Sequence, residues 1–171
     1  MDYPFHRFLN SHFNVPIVGA EIGVFHGANA LYMFEHLDMA KLYLVDPWMD
    51  ENNMQGYTEG ATVNKFPIAV ESLKDYWNKC LFMRMTSVEA SELVNEKLDL
   101  VYIDGNHEKE FVYEDIIVWE RKIRKGGIIA GHDWVSHPSV KEAVLEYVKL
   151  AGVENLCTSD WKSGYWWWEI Q

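Results

Sequence analysis

The chain has 171 residues, 49% of them hydrophobic, and a formal net charge of −11. This length and apolar content suit one domain, residues 1–171, with a sizeable core. The acidic balance repels polyanions, which argues against a nucleic-acid partner. No apolar run approaches the roughly 20 residues that span a bilayer, and the distant Cys80 and Cys157 indicate reduced thiols, so we expect a cytoplasmic protein that does not bind membranes.

Short apolar segments alternate with helix-like segments from residue 17 onward, which is typical of a parallel α/β sheet. Residues 1–16 form a short N-terminal cover. The predicted strands are 17–22, 41–46, 81–85, 98–104 and 127–132. The predicted helices are 28–37, 66–79, 88–95, 108–123 and 139–151. Segments 154–158 and 164–170 are joined so closely that they must form an antiparallel hairpin.

The segment 47–65 is polar and too long for an ordinary connection. Loops of this length are usually lids, binding loops or disordered segments. We interpret it as a lid with Met54 and Tyr57 as its apolar contacts, and plain disorder is the alternative.

A glycine turn, Glu21-Ile-Gly-Val-Phe-His-Gly27, follows the first strand and opens the first helix. Gly23 allows the backbone to approach a ligand, Gly27 allows a tight turn, and Phe25 lies between them. An acid at the strand end would repel a pyrophosphate, so Glu21 favours a cofactor with an ammonium group, S-adenosylmethionine. A nicotinamide dehydrogenase is disfavoured because the glycine spacing is not GxGxxG.

Polar residues follow the next strands as well. Asp46 lies about two dozen residues after the first glycine, the spacing of an acid that binds ribose hydroxyls, although a strand-end turn with Pro47 is the alternative. Thr86 and Ser87 offer hydroxyls for an adenine, and Ser87 is equally suited to be a helix N-cap.

Two later strands end in Asp104 with His107, and in His132 with Asp133. These groups permit general base catalysis by either histidine, oriented by a carboxylate. They also permit a divalent metal held by Asp104, Asp133 and one histidine, for which we name His132. A hydrogen-bonded network that only closes the sheet edge is the third interpretation.

Three consecutive tryptophans, Trp166 to Trp168, lie in the last predicted strand. Side chains alternate between the faces of a strand, so we expect edge-strand packing or a dimer contact for them. Stacking on a substrate is the alternative.

With these residues in place, the chain resembles the class I S-adenosylmethionine-dependent methyltransferases, in particular a small bacterial and phage-type branch. The resemblance lies in three segments: 20–27, Tyr-Ile-Asp-Gly-Asn-His at 102–107, and Gly-Gly-Ile-Ile-Ala-Gly-His-Asp at 126–133. It implies a Rossmann-like, seven-stranded, mostly parallel sheet with a C-terminal antiparallel hairpin and helices on both faces.

The resemblance also implies roles for individual residues. Glu21 and Gly23 would face the methionine part of the cofactor, Asp46 would hold the ribose, and Asp104 would lie beside the sulfonium. Thr86 or Ser87 would border the adenine. Related O-methyltransferases bind magnesium through acids at the fourth and fifth strand ends, and His132 departs from that pattern. Their N-terminal helices over the acceptor are missing here, so a partner subunit in a homo-oligomer or the segment 47–65 would form that wall.

These observations predict methyl transfer to a hydroxyl of a sugar or another small molecule. His107, His132 and Asp133 are the expected catalytic residues, because the reaction requires alignment and removal of one proton. N-methylation and a non-catalytic subunit that binds S-adenosylmethionine or a nucleoside are the alternatives.

Overall fold

The computed structural model of the chain describes residues 4–48 and 65–171. The strands of its sheet are β1 (Ile17–Ile22), β2 (Met39–Val45), β3 (Cys80–Met83), β4 (Leu98–Ile103), β5 (Ile123–His132), β6 (Cys157–Ser159) and β7 (Tyr165–Glu169). The helices are α1 (Pro4–His12), α2 (Ala28–His36), α3 (Phe66–Ser72), α4 (Ser87–Leu93), α5 (Lys109–Glu120) and α6 (Pro138–Ala151), and a 3₁₀ helix covers Lys74–Lys79.

The seven strands form one sheet in the order β3-β2-β1-β4-β5-β7-β6. The first five strands are parallel, whereas β7 runs antiparallel to both β5 and β6. The predicted fold class, including the C-terminal antiparallel pair, is confirmed. The strand order reverses between β1 and β4, and in open sheets ligands bind beyond the carboxyl ends of the strands at such a point.

The tryptophans of β7 lie inside the protein. Because β7 lies between β5 and β6, it is not an edge strand, and the expected edge packing or dimer contact is wrong. Trp166 and Trp168 stack with ring centroids 5.4 Å apart in the apolar layer beneath α4, α5 and α6, and Trp167 packs on the other face against Phe5 and Phe8 of α1. All three are buried, so stacking on a substrate is also excluded in this arrangement.

Several predicted boundaries were wrong. The helix expected to reach Ile123 ends at Glu120, because Ile123 is buried in β5 and pairs with Leu98. The helix expected over 66–79 changes to a 3₁₀ helix after Leu73. Within the expected N-terminal cover lies the helix α1. Most of the segment 47–65 that was expected to form a lid, including Met54 and Tyr57, lies outside the described residues. No described helix is long and apolar enough to span a membrane.

Gly131 of β5 lies directly beneath Trp166. A Cβ atom at this position would be 2.3 Å from the Trp166 ring and 2.7 Å from the carbonyl oxygen of Ile103. We therefore expect Gly131→Ala to lower the free energy of unfolding by about 1–3 kcal/mol through overpacking. Chemical denaturation measures this. Gly105→Ala is the control, because the nearest atom would be 3.8 Å from its Cβ, and equal losses in both variants would contradict the prediction.

Candidate active site at the carboxyl edge of the sheet

The turn between β1 and α2 is pressed against the end of β4. Gly23 has φ of 87°, and a Cβ atom there would be 2.1 Å from the carbonyl oxygen of Asp104. Gly27, with φ of 84°, is the N-cap of α2. Phe25 lies between the glycines with φ of 54° and exposes 44% of its surface. The two glycines therefore allow a tight turn that presents backbone and one aromatic ring at this edge.

Glu21 is a buried acid with one unused oxygen. It is 1% exposed, and its Oε1 accepts a hydrogen bond of 2.8 Å from Asn29 Nδ2. Its Oε2 has no hydrogen-bond partner among the described residues. Burial raises the pKa of Glu21 to about 8. The hydrogen bond from Asn29 opposes this rise, and the nearby Asp104 and Asp46 add to it. A buried acceptor without a partner is costly, so this oxygen suits a cationic or donor group of a ligand.

Asp46 connects the end of β2 to the glycine turn. Its Oδ2 accepts hydrogen bonds from the backbone N–H groups of Val24 (3.1 Å) and Phe25 (2.8 Å), and its Oδ1 accepts one from Trp48 (2.7 Å). The Trp48 bond is the strand-end turn foreseen as the alternative. Burial raises the pKa of Asp46, and the three N–H groups oppose that rise. Because a carboxylate has about four lone-pair sites, Asp46 keeps limited capacity for a ligand.

Thr86 and Ser87 begin α4 and use their hydroxyls within the protein. Thr86, not Ser87, is the N-cap, and it forms a capping box with Glu89. Ser87 Oγ instead accepts a hydrogen bond of 2.8 Å from Trp119 Nε1 and also bonds to Asp115. The sequence placed the cap one residue late because both hydroxyls suit that role.

The four predicted residues at the ends of β4 and β5 lie together. His107 Nε2 is 2.8 Å from Asp133 Oδ2. His132 Nδ1 is 3.4 Å from the same oxygen and 3.6 Å from Asp104 Oδ1. Single ligand atoms of Asp104, His132 and Asp133 all lie within 4.8 Å of one another. This edge therefore holds a compact cluster of two acids and two imidazoles.

The acids and imidazoles of this cluster stabilise each other's charged forms. The hydrogen bond to Asp133 raises the pKa of His107 more than burial lowers it. Burial also lowers the pKa of His132, but its bonds to Asp104 and Asp133 outweigh that effect and raise the pKa to about 9. Burial opposes the charge of Asp133, yet its donors hold the pKa of that carboxyl well below its usual range. The cluster can accept, hold or pass a proton.

Two members of the cluster were missed from the sequence. His137 Nδ1 lies 3.3 Å from Asp133 Oδ1, and its ring stacks on that of His107 with centroids 4.0 Å apart. Ser136 Oγ donates to Asp133 Oδ1. Their position in the sequence could have indicated them, because they follow Asp133 by three and four residues and come directly before Pro138, which starts α6.

Tyr165 was also missed, and it connects the cluster to α1. In the register of β5 and β7 it lies opposite His132, and the two rings are 5.1 Å apart. Phe5 stacks on the other side of Tyr165, 5.7 Å away. The short helix α1 therefore packs behind Tyr165, near this edge of the sheet.

A family model described as a methyltransferase domain matches residues 20–134, more than half of the chain. No curated protein matches the sequence significantly. Among solved structures, an rRNA methylase from Streptococcus thermophilus is 14% identical, with a TM-score of 0.70, covering 100% of this chain and 99% of that one. The O-methyltransferase NovP is 19% identical, with a TM-score of 0.64 and coverages of 92% and 73%. The SAH-bound Podospora anserina methyltransferase PaMTH1 is 13% identical, with a TM-score of 0.69 and coverages of 100% and 80%. At these identities the structural likeness shows the fold.

The pKa of Glu21 predicts a pH dependence of stability. Its pKa rises from 4.5 to about 8 on folding, so the folded state holds this proton more tightly than the unfolded state. The resulting stabilisation is fully present below about pH 4.5 and is lost as the pH rises toward 8. We expect Glu21→Gln to flatten the fall in unfolding free energy between about pH 5 and pH 8 by at least about 1 kcal/mol. Urea denaturation at both pH values tests this, and an equal fall in both proteins would contradict it.

Proposed function

This chain belongs to a family of methyltransferase domains and is an S-adenosylmethionine-dependent methyltransferase, and we propose that it methylates a hydroxyl oxygen of a small molecule, such as a sugar. The observation that carries the proposal is the 2.8 Å contact between His107 Nε2 and Asp133 Oδ2, beside Asp104. An acid–histidine pair at the reactive end of the cofactor site supplies the base that a hydroxyl acceptor requires.

The methionine end of the cofactor lies, in this proposal, along the β1–α2 turn. The unused Oε2 of Glu21 supports this orientation, because an ammonium group would supply the missing donor and a compensating charge. Gly23 allows the turn to lie directly against the end of β4, which brings Asp104 beside it. Phe25 and Gly27 complete the turn, and the exposed Phe25 ring is available for contact with the cofactor.

The nucleoside end lies over β2 and β3. Asp46 accepts hydrogen bonds from three backbone N–H groups. Its remaining lone pairs accept hydrogen bonds from the ribose hydroxyls. Thr86 and Ser87 border the adenine. Their hydroxyls already bind Glu89, Trp119 and Asp115. These residues would therefore contact the adenine through van der Waals packing and backbone groups more than through free hydroxyls.

The reaction is a displacement at the methyl carbon. A lone pair of the acceptor oxygen forms the new C–O bond while the C–S bond breaks and its electron pair goes to sulfur. The acceptor proton goes to Nδ1 of His107, because the Nε2–H of that ring is donated to Asp133. Asp133 thereby fixes the tautomer and the orientation of the base.

His132 is the alternative base. Its Nδ1 faces both Asp104 and Asp133, and its bonds to these acids raise its pKa to about 9. His107 instead faces Asp133 through Nε2, which leaves Nδ1 of His107 for the acceptor's proton. We therefore assign proton removal to His107 and charge compensation at Asp104 and Asp133 to His132.

A divalent cation at Asp104, His132 and Asp133 is the other arrangement that the sequence allowed. The proximity of the three ligand atoms favours it. The same atoms, however, already form hydrogen bonds and ion pairs with one another. The proposed mechanism therefore takes no step through a metal.

The class of acceptor is tested by following formation of S-adenosylhomocysteine with panels of hydroxyl compounds, amines and an RNA. We expect turnover with hydroxyl compounds. The net charge of −11 opposes RNA, although one structural neighbour is an rRNA methylase. Turnover of amines alone would replace the proposal by N-methylation.

His107→Gln tests the base directly. We expect kcat to fall by about 10²- to 10⁴-fold, because no imidazole nitrogen is then positioned to take the proton from the substrate hydroxyl. The affinity for S-adenosylhomocysteine, measured by calorimetry, should change little. His36→Gln, an exposed histidine of α2, is the control, and a kcat for His107→Gln equal to that of the control would refute the assignment.

Asp46→Ala tests the nucleoside end. We expect the affinity for S-adenosylhomocysteine to fall by about 1–3 kcal/mol, because charge-assisted hydrogen bonds are lost. Since Asp46 also holds the turn, the 2′-deoxy analogue is titrated in parallel. The native protein should bind it more weakly than S-adenosylhomocysteine, and Asp46→Ala should bind both equally. A preference that survives in the variant would reject Asp46 as the ribose ligand.

A further inference from the structure

The carboxylate of Asp133 accepts hydrogen bonds from His107, His132 and Ser136, and the ring of His137 lies close to it as well. His107 and His132 approach Oδ2 at 2.8 and 3.4 Å. His137 approaches Oδ1 at 3.3 Å, and Ser136 donates to the same oxygen. An ionised carboxylate has about four lone-pair sites, so three of them are matched by donors of the protein and a fourth contact, with the His137 imidazole, lies beside them. Asp133 is also buried, at 7% exposure.

His132 lies between the acids at the ends of β4 and β5. Its Nδ1 is 3.6 Å from Asp104 Oδ1 and 3.4 Å from Asp133 Oδ2, and the Tyr165 ring lies 5.1 Å from its own ring. The nitrogen that faces both acids acts as a donor toward them. It therefore stands where a cation bridging the two carboxylates would be placed.

The residues at this edge do not fit the magnesium ion that the resemblance suggests. Mg²⁺ prefers six oxygen ligands in near-octahedral geometry and is usually held by carboxylates and water. Here one of the three candidate groups is an imidazole, and the carboxylate oxygens that would bind the ion are engaged by His132 and His107. Binding would require the ion to displace donors that already neutralise the acids.

We propose that this methyltransferase holds no magnesium ion at this edge, because the Nδ1–H group of His132 occupies the position between Asp104 and Asp133 where the ion would bridge the two carboxylates. This inference rests on the proposed reaction at the same site. Without a magnesium ion on Asp133, the 2.8 Å contact of His107 Nε2 with that carboxylate is kept, and Nδ1 of His107 is left to accept the proton. Ser136 completes the set of donors to Asp133.

Binding of Mn²⁺, which accepts the same oxygen ligands as Mg²⁺, is measured from the electron paramagnetic resonance signal of the free ion. The native protein, with and without S-adenosylhomocysteine, should show no stoichiometric binding at millimolar Mn²⁺. His132→Asp removes the internal donor and adds a third carboxylate, so it should bind one Mn²⁺ per chain. His36→Asp makes the same change of charge on the exposed surface of α2 and should bind none.

Stoichiometric binding of Mn²⁺ to the native protein, abolished by Asp104→Asn, would overturn the inference. So would a His132→Asp variant that is folded by circular dichroism and binds no Mn²⁺, because His132 would then not be what occupies the cation's position. These titrations need no acceptor. A protein that methylates no hydroxyl compound would therefore contradict the proposed function alone, while the Mn²⁺ result would still decide the inference.

Discussion

The close approach of the β1 turn to the end of β4 determines where every group of the site lies. Asp104 N donates to Ile22 O at 2.7 Å, and Gly23 N donates to Val45 O at 2.9 Å, so the hydrogen bonding of three strands continues past their ends. Gly23 is essential to this arrangement, because any side chain there would collide with the Asp104 carbonyl group. Glu21, Asp46 and Asp104 consequently share one small edge of the sheet.

Such a concentration of carboxylates is unfavourable unless each is compensated. The chain compensates them in three ways. Asp46 is held by backbone N–H groups, Asp133 by imidazoles and a hydroxyl, and Glu21 by a raised pKa that favours its protonated form. Only the compensation of Glu21 leaves an acceptor oxygen without a partner. An oxygen without a partner destabilises the free protein, and this cost would be recovered in the proposed complex, where a cationic group of the cofactor contacts Glu21.

The sequence was sufficient to predict the sheet and the position of the acids at its carboxyl edge, because strand ends and glycine turns leave local signals. Glu21 lies at the end of an apolar strand, Asp104 and Asp133 directly follow one, and His107 comes in the turn just after Asp104. Tyr165 could not be identified in this way, because its proximity to His132 depends on the register between β5 and β7. The burial of all three tryptophans was missed for the same reason: local alternation shows two faces, whereas only topology shows that α1 covers one face and that β6 covers the edge.

Asp133 is shared by histidines on the two faces of the sheet. His132 contacts Tyr165 on the α1 side, whereas His107 and His137 lie at the starts of α5 and α6. Protonation of His107 or His132 therefore alters the charge available to the other through one carboxylate. The titrations of these two histidines are coupled, and apparent pKa values from a pH–rate profile belong to the pair and not to one histidine. Substitution of His132 would therefore shift the pH–rate profile even if His107 alone removes the proton. For this reason the fall in kcat on substitution of His107 identifies the base better than the profile does.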